Sequence, residues 1–183
     1  MLSAHLTLPT LLSLLSHLPP TLSLPKSASL TPLSPNTLTL HNACPYPLLL
    51  SSISQTLSLT PLTIPSGRTH TEPLRTSCAG CGVSLKLAHP AAPAAVTQFE
   101  YSITGGRVWY DISLIDCVKG GDASQCPGHE AGLKIHGDGG DVMRCAPGSY
   151  CAAEAYYVPV PGAVQPVGSA VAGGDLRVEI CSG

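Results

Sequence analysis

The chain has 183 residues, of which 11% are charged, and its formal net charge is −2. This length is enough for one domain with its own hydrophobic core, and so weak a charge excludes the basic surface on which nucleic-acid binding depends. Glycine and proline number 18 each, whereas aromatic residues make up only 4%. Such a mixture favours short strands joined by turns over long helices.

The first 65 residues contain a single charged side chain, Lys26. Within them, residues 6–18 form a leucine-rich apolar run of the kind found in secretory signals, and small residues follow Lys26 as a cleavage site requires. The sequence predicts a signal peptide, or alternatively a disordered leader, at 1–29, then a linker at 30–36 and a folded domain at 37–183. The apolar run is too short and too interrupted by proline and serine to span a membrane.

Eight cysteines lie beyond the leader. An even number of cysteines in a loop-rich chain indicates a disulfide framework, and therefore an oxidising compartment outside the cytosol. A zinc site at Cys78-x-x-Cys81 is the alternative, but such a site needs a second close pair of ligands, which the histidine spacing does not provide. The number and spacing of the cysteines leave their connectivity open. They are Cys44, Cys78, Cys81, Cys117, Cys126, Cys145, Cys151 and Cys181.

Alternation of apolar and polar residues predicts strands along the folded part. It occurs at 37–40, at 83–88 and at 176–180, and a short apolar run lies at 48–50. A period of two with one polar side is typical of an antiparallel strand that is buried on one face. No segment has a sustained helical period, so the sequence predicts an all-β fold.

Residues 97–115 predict a β-hairpin whose register can be counted. Gly105 and Gly106 stand between two alternating runs, and adjacent glycines suit a two-residue turn because both can take positive φ. Counting outward from this turn places Glu100 opposite Asp111, and a slip by one residue would mix the two faces. The expected core face carries Phe99, Tyr101, Ile103, Val108, Tyr110, Ile112 and Leu114, and the polar face carries Gln98, Glu100, Ser102, Trp109, Asp111 and Ser113.

This register brings two carboxylates together. Opposite residues of an antiparallel pair have Cβ atoms about 4.5–5.5 Å apart, so Glu100 and Asp111 repel each other unless a cation or a shared proton compensates, and at least one pKa rises. Paired carboxylates are what glycoside hydrolysis needs, and Trp109 on the same face can stack on a sugar ring. An ordinary solvated strand face, neutralised by a neighbouring Lys or Arg, is the other interpretation.

Several of these segments resemble those of thaumatin-like proteins. The runs VTQFEY at 96–101 and WYDISLID at 109–116 are similar to the family's A-E-F and Y-D-[IV]-S-x-[IV]-D-G elements, 42–47 is similar to its first strand, and 151–181 to its closing region. TQFEY and GVSLK look closer still to the small fungal branch of antigenic or conidial thaumatin-like proteins. The resemblance implies a disulfide-stapled antiparallel β-sandwich with an acidic cleft, in a secreted or cell-wall protein.

The resemblance also implies particular residue roles. Three of the family's cleft acids carry over by position as candidate catalytic residues, namely Glu100, Asp111 and Asp116, and Trp109 joins the first two as a ligand-binding residue. The family's acid after the Tyr-Tyr element is missing here, and its cleft arginine has only approximate counterparts in Arg68 and Arg75. The implied disulfides are Cys44–Cys181, Cys117–Cys126 and Cys145–Cys151, with Cys78–Cys81 as the remaining pair.

The incomplete set of acids favours binding over hydrolysis. We expect a secreted, monomeric, non-catalytic protein that binds cell-wall β-glucan or another wall polysaccharide, with neither cofactor nor metal and with no nucleic-acid partner. One alternative is a weak endo-β-1,3-glucanase with Glu100 as general acid and Asp111 or Asp116 as the second carboxylate. Another is a secreted effector or inhibitor that presents its rigid loops to a host protein.

Overall fold

The computed structural model describes residues 36–76, 78, 81–159 and 165–183. The chain divides into two units, Met1–Pro32 and Leu33–Gly183, and all the described residues belong to the second. The expected leader at 1–29 and, apart from Asn36, the expected linker at 30–36 lie outside the described residues. Within the described ranges, no helix has the length and apolar character that crossing a bilayer requires.

Strands account for nearly all of the regular structure in the described residues, with one short 3₁₀ helix at His129–Ala131. The short strands and abundant turns are those that the glycine and proline content favours. The strands are β1 (Thr37–Asn42), β2 (Leu48–Ser54), β3 (Leu62–Ile64), β4 (Thr69–Pro73), β5 (Gly82–His89), β6 (Ala92–Thr104), β7 (Arg107–Ser113), β8 (Leu133–Gly137), β9 (Val142–Cys145), β10 (Ala155–Tyr156), β11 (Gly168–Val171) and β12 (Leu176–Ile180).

The strands form two sheets. One has the order β4-β1-β12-β8-β9, and the other has the order β10-β7-β6-β5-β2-β3, with β11 also paired to β7. The predicted all-β, disulfide-stapled sandwich is confirmed, but its sheets are mixed, because β1 runs parallel to β12 and β10 runs parallel to β7. A tight hairpin turn forces the two strands that it joins to run antiparallel. Strands that are distant in sequence have no such constraint and can pair in parallel.

The core lies between the two sheets and is built from the inward faces of alternating strands. Leu38 and Leu40 of β1 point to it from one sheet, and Leu85, Phe99 and Ile112 point to it from the other; all five are fully buried. Burying one such side chain stabilises the fold by about 1.5–3 kcal/mol. Most polar side chains of the strands accordingly lie on the outward faces, although a few, such as Ser52 and Glu72, are buried.

All eight cysteines are paired in the structure. One bond joins residues 137 apart in sequence and ties the segments after β1 and β12 together, whereas the other three close short loops. The pairing is the one that the family resemblance implies, and Cys78 and Cys81 bond each other where zinc was the alternative. The four bonds are Cys44–Cys181, Cys78–Cys81, Cys117–Cys126 and Cys145–Cys151.

Candidate functional site

The β6–β7 hairpin has the register that counting from its turn predicts. Gly105 and Gly106 have φ values of 57° and 73°, and positive φ at both positions gives a turn whose twist matches that of the flanking strands. Glu100 of β6 is paired with Asp111 of β7. The two acids therefore lie side by side on the outward face of the seven-stranded sheet, and we call them the carboxyl pair.

The outward face of the hairpin is less exposed to solvent than the sequence pattern predicts. Trp109 near the turn is 39% exposed, but Gln98 and Ser113 at the other end are buried. Gln98 is held by its neighbours there, since it accepts a hydrogen bond from Ser84 Oγ at 3.0 Å and donates one to Asp116 Oδ2 at 3.1 Å. The carboxyl pair thus lies between a solvated end and a buried end.

A cleft of about 700 Å³ runs over this face. A second hollow of about 340 Å³ extends from it toward Pro159, and the two share the carboxyl pair together with Tyr156 and Gln165. The pair consequently lies where the two hollows meet. The polar residues along the cleft are Ser54, Gln55, Ser84, Glu100, Ser102, Asp111, Tyr156 and Gln165, and Trp109 forms part of its wall.

The carboxyl pair is electrostatically strained. Burial first, and then the charge of Glu100, raise the pKa of Asp111 to about 8, and Asp111 Oδ1 is a buried atom with no hydrogen-bond partner. Burial also raises the pKa of Glu100, while burial and the charges of the pair raise the pKa of Tyr156 to about 12. Burial and the like charge of Glu100 therefore favour the protonated form of Asp111.

Asp116 does not join the carboxyl pair. It lies past the end of β7, where strand alternation no longer directs its side chain, and it is outside the set of residues that line the cleft. Its Oδ2 atom lies 3.2 Å from Lys86 Nζ. Of the sequence-predicted acids, the structure brings Glu100 and Asp111 together and places Asp116 to one side of them.

The two arginines considered for the cleft also lie elsewhere. Arg75 Nη2 donates to Ser52 Oγ at 2.6 Å and lies 3.3 Å from Glu72 Oε1, in a group of polar side chains largely buried between the sheets. Arg68 is exposed just before β4. Among the described residues, the cleft lining includes neither lysine nor arginine; Lys86 lies outside it and opposes, for Glu100 only, the rise in pKa that burial causes, so Asp111 has no compensating cation.

Trp109 is held in place by a cation. The guanidinium carbon of Arg107 lies 5.6 Å from the centre of the indole ring, a distance at which a cation is attracted to the ring face. Arg107 Nη2 in turn donates to Ser169 Oγ of β11 at 2.6 Å. Because Ser169 is paired with Trp109 across β7 and β11, Arg107 links the indole to the neighbouring strand β11, and part of the Trp109 surface remains exposed.

Three cleft residues had no signal in the sequence. Tyr156 belongs to β10, which is two residues long and too short to show a period. Gln55 and Gln165 lie outside the strands and reach the cleft only through the long-range fold. Alternation in the sequence predicts the facing of side chains only on regular strands. The place of these three residues in the cleft is therefore known only from the folded structure.

Comparison with known proteins identifies relatives for most of the chain. The family model described as Blastomyces yeast-phase-specific protein matches residues 33–149. An antigenic thaumatin-like protein of Arthroderma benhamiae is 30% identical over 154 residues, which are 80% of this chain and 71% of that protein. The secreted thaumatin-like protein calA of Emericella nidulans is 32% identical over 123 residues, 66% of this chain and 68% of its own.

Solved structures share the fold at low sequence identity. The protein elicitor MoHrip2 from Magnaporthe oryzae has a TM-score of 0.62 and 17% identity, covering 80% of this chain and 98% of its own. The thaumatin-like xylanase inhibitor TLXI has a TM-score of 0.51 and 14% identity, covering 81% of this chain and 99% of its own. At these identities the likeness establishes the architecture alone.

Proposed function

The chain belongs to the thaumatin-like family, in the group described as Blastomyces yeast-phase-specific protein, and from this premise we propose that it is a secreted, non-catalytic protein that binds a cell-wall polysaccharide. The ligand class is β-glucan or a related neutral glycan. One observation carries the proposal: a partly exposed indole and the carboxyl pair line the same cleft, whose other polar groups are uncharged.

The polar groups of the cleft match the chemistry of a sugar. Each sugar hydroxyl donates and accepts hydrogen bonds, so side chains that can also donate and accept them are its best partners. A carboxyl pair with one proton offers a donor and several acceptors, and the amides of Gln55 and Gln165 offer both as well. An indole supplies a rigid apolar surface for the face of a pyranose ring, and Trp109 occupies the wall beside these groups.

The placement of the acids supports binding more than hydrolysis. A glycosidase needs two carboxyl groups that flank the scissile bond, one to protonate the leaving oxygen and one to act on the other side of the sugar. Glu100 and Asp111 lie side by side, but the further acid that the family carries after the Tyr-Tyr element is missing here. Asp116, the remaining candidate, is paired with Lys86.

Export is supported by the covalent chemistry of the chain and by its relatives. Disulfides form and persist in oxidising compartments, and all eight cysteines are paired. One relative is named as secreted and another as antigenic. The apolar run at 6–18 is the segment that we propose directs export, as the sequence pattern predicts.

Co-sedimentation tests the proposed function. The protein is incubated with insoluble β-1,3-glucan, with chitin and with whole fungal walls, and we expect it to pellet with at least one of them. Trp109→Ala should weaken the binding by at least about tenfold, as the loss of a central aromatic contact usually does. The matched control is Tyr150→Ala, which removes an aromatic residue that is 71% exposed and does not line the cleft. Failure of the unaltered protein to pellet with any of the three would overturn the proposal.

A further inference from the structure

We propose that Asp111 acts in the cleft as a neutral carboxylic acid, donating its proton to a ligand oxygen while Glu100 accepts a hydrogen bond as a carboxylate. Occupancy of the cleft then depends on pH, because the donor disappears when Asp111 ionises. This inference rests on the proposed function of the same cleft. It names Asp111 as the residue through which pH controls binding.

The surroundings of Asp111 favour the neutral form. Its Oδ1 atom is buried, and no described group donates a hydrogen bond to it. A buried ionised oxygen without a donor is far more costly than a buried carboxyl group that can still donate. Asp111 as a residue lines the cleft, so its carboxyl group lies at the surface that a ligand hydroxyl or ring oxygen would contact.

The groups that face Asp111 from neighbouring strands give it no positive charge. Glu100 lies directly opposite it on β6. Tyr156 on β10 is held neutral, since burial and the charges of the pair raise its pKa to about 12. The segment that leads into β11 contributes the uncharged Gln165, and β2 and β5 contribute the uncharged Ser54 and Ser84.

Neither Lys86 nor Arg107 compensates the charge of Asp111, because burial and Glu100 alone shift its pKa. Lys86 of β5 is paired with Asp116 at 3.2 Å and sits opposite Gln98, one outward-facing position beyond Glu100 on β6. Arg107 of β7 stacks on Trp109 and donates to Ser169. Burial raises the pKa of Glu100, but the charge of Lys86 opposes this rise and so favours Glu100 as the ionised member of the pair, whereas burial together with Glu100 raises the pKa of Asp111 to about 8.

Ligand binding strengthens this preference. A glycan in the cleft displaces water, which worsens the solvation of a second negative charge next to Glu100 and raises the pKa of Asp111 further in the complex. A group whose pKa is higher in the complex than in the free protein makes binding weaker as pH rises through the free value, by up to about tenfold per pH unit. Binding is therefore strongest below pH 8 and declines above it.

The fluorescence of Trp109 provides the measurement, since it is the only tryptophan in the chain. The full-length protein is titrated with a soluble β-1,3-glucan oligosaccharide, which carries no titrating group, at intervals from pH 6 to 9.5. We expect affinity to fall at least tenfold over this range. An affinity that stays constant would overturn the inference and leave the proposed function intact.

Three variants assign the effect to the carboxyl pair. Asp111→Asn cannot ionise, so its affinity should not vary with pH. Glu100→Gln removes the neighbouring charge, so the decline should move to lower pH. Glu130→Gln, which replaces a carboxylate that is 67% exposed and remote from the cleft lining, should keep the profile of the unaltered protein. A decline that persists unchanged in Asp111→Asn would overturn the inference.

Carbon-13 NMR of the side-chain carboxyl groups gives a second readout in the unaltered protein without ligand. The Asp111 carboxyl should titrate near pH 8, and a midpoint near pH 4 would overturn the inference even where glycan binds. If no glycan binds at any pH, the proposed function fails, and this titration still decides whether Asp111 is neutral at pH 7.

Discussion

Lys86 Nζ lies 3.2 Å from Asp116 Oδ2, and Gln98 donates to the same oxygen at 3.1 Å. Asp116 therefore has the compensating partners that Asp111 lacks. Both members of the ion pair are more than one-third exposed, and exposed pairs of this kind contribute little to stability. The acids that the sequence grouped together thus differ sharply in their surroundings.

Replacing Asp116 with Asn should consequently be mild. We expect the free energy of unfolding to change by less than about 1 kcal/mol, as measured by urea denaturation, and glycan binding to fall much less than it does in Trp109→Ala. A loss of binding as large as that of Trp109→Ala would show that the ligand extends past the cleft to Asp116.

Replacing Asp111 with Asn should flatten the pH dependence of stability. The pKa of Asp111 is 3.8 in its ordinary state and is raised to about 8 in the folded protein, by burial and then by Glu100. Between these values the folded state holds a proton that the unfolded state releases, so the free energy of unfolding falls as pH rises, by at most about 1.4 kcal/mol per pH unit.

Urea denaturation of both proteins at pH 5, 7 and 9 checks this. The difference between them isolates Asp111 from other groups, such as Asp138 and Glu179, whose pKa values are lowered by hydrogen bonds from Arg177 and Lys134. Asp111→Asn should be the more stable protein at pH 9. Equal slopes in the two proteins would mean that Asp111 is ionised at neutral pH.

Regular strands next to recognisable turns could be predicted from the sequence. The Gly105-Gly106 turn fixes the register that pairs Glu100 with Asp111, and alternation identifies β5 and β12. The two residues of β10 carry no period, so the position of Tyr156 could not be predicted. Asp116 lies beyond the last residue of β7, where the chain leaves the pleat, so counting along the strand could not place its side chain.

The pairing of strands that are distant in sequence could not be predicted from the sequence either. β1 and β12 each show a clear period of two, but nothing in that period says that they are neighbours or that they run parallel. The engagement of Lys86 with Asp116 is a similar case, because the two residues are joined only when β5 lies beside β6. Such contacts determine which acid has a cation beside it and which does not. They form only when strands distant in sequence pack together.

The long-range and short-range disulfides should differ in their contribution to stability. In the chain-entropy model, a bond that closes a loop of 137 residues, such as Cys44–Cys181, stabilises the fold by about 5 kcal/mol, whereas one that closes 6 residues, such as Cys145–Cys151, gives about 2 kcal/mol. Double alanine variants of each pair, compared by thermal and urea unfolding, measure the difference. A larger loss from the short pair would contradict the loop-length argument.

Hydrolysis of glucan should be absent. The family's cleft acid after the Tyr-Tyr element is missing here and Asp116 is paired with Lys86, so we expect no release of reducing sugar from soluble β-1,3-glucan above that of a heat-denatured sample. The matched variant is Glu100→Gln, which should behave identically. Activity that is present in the unaltered protein and lost in this variant would instead support a weak endo-β-1,3-glucanase with Glu100 as its general acid.

The position of β12 between β1 and β8 governs the order in which the molecule can assemble. Strands β2, β5, β6 and β7 pair with strands that are near in sequence, so this part of the seven-stranded sheet can form early. The opposite sheet must wait for its central strand, which is the last one, and contacts of such long sequence separation form slowly. A nascent polypeptide therefore cannot join β1 to β8 until the segment that forms β12 has been made, and truncation before Leu176 would leave these two strands without the neighbour that joins them.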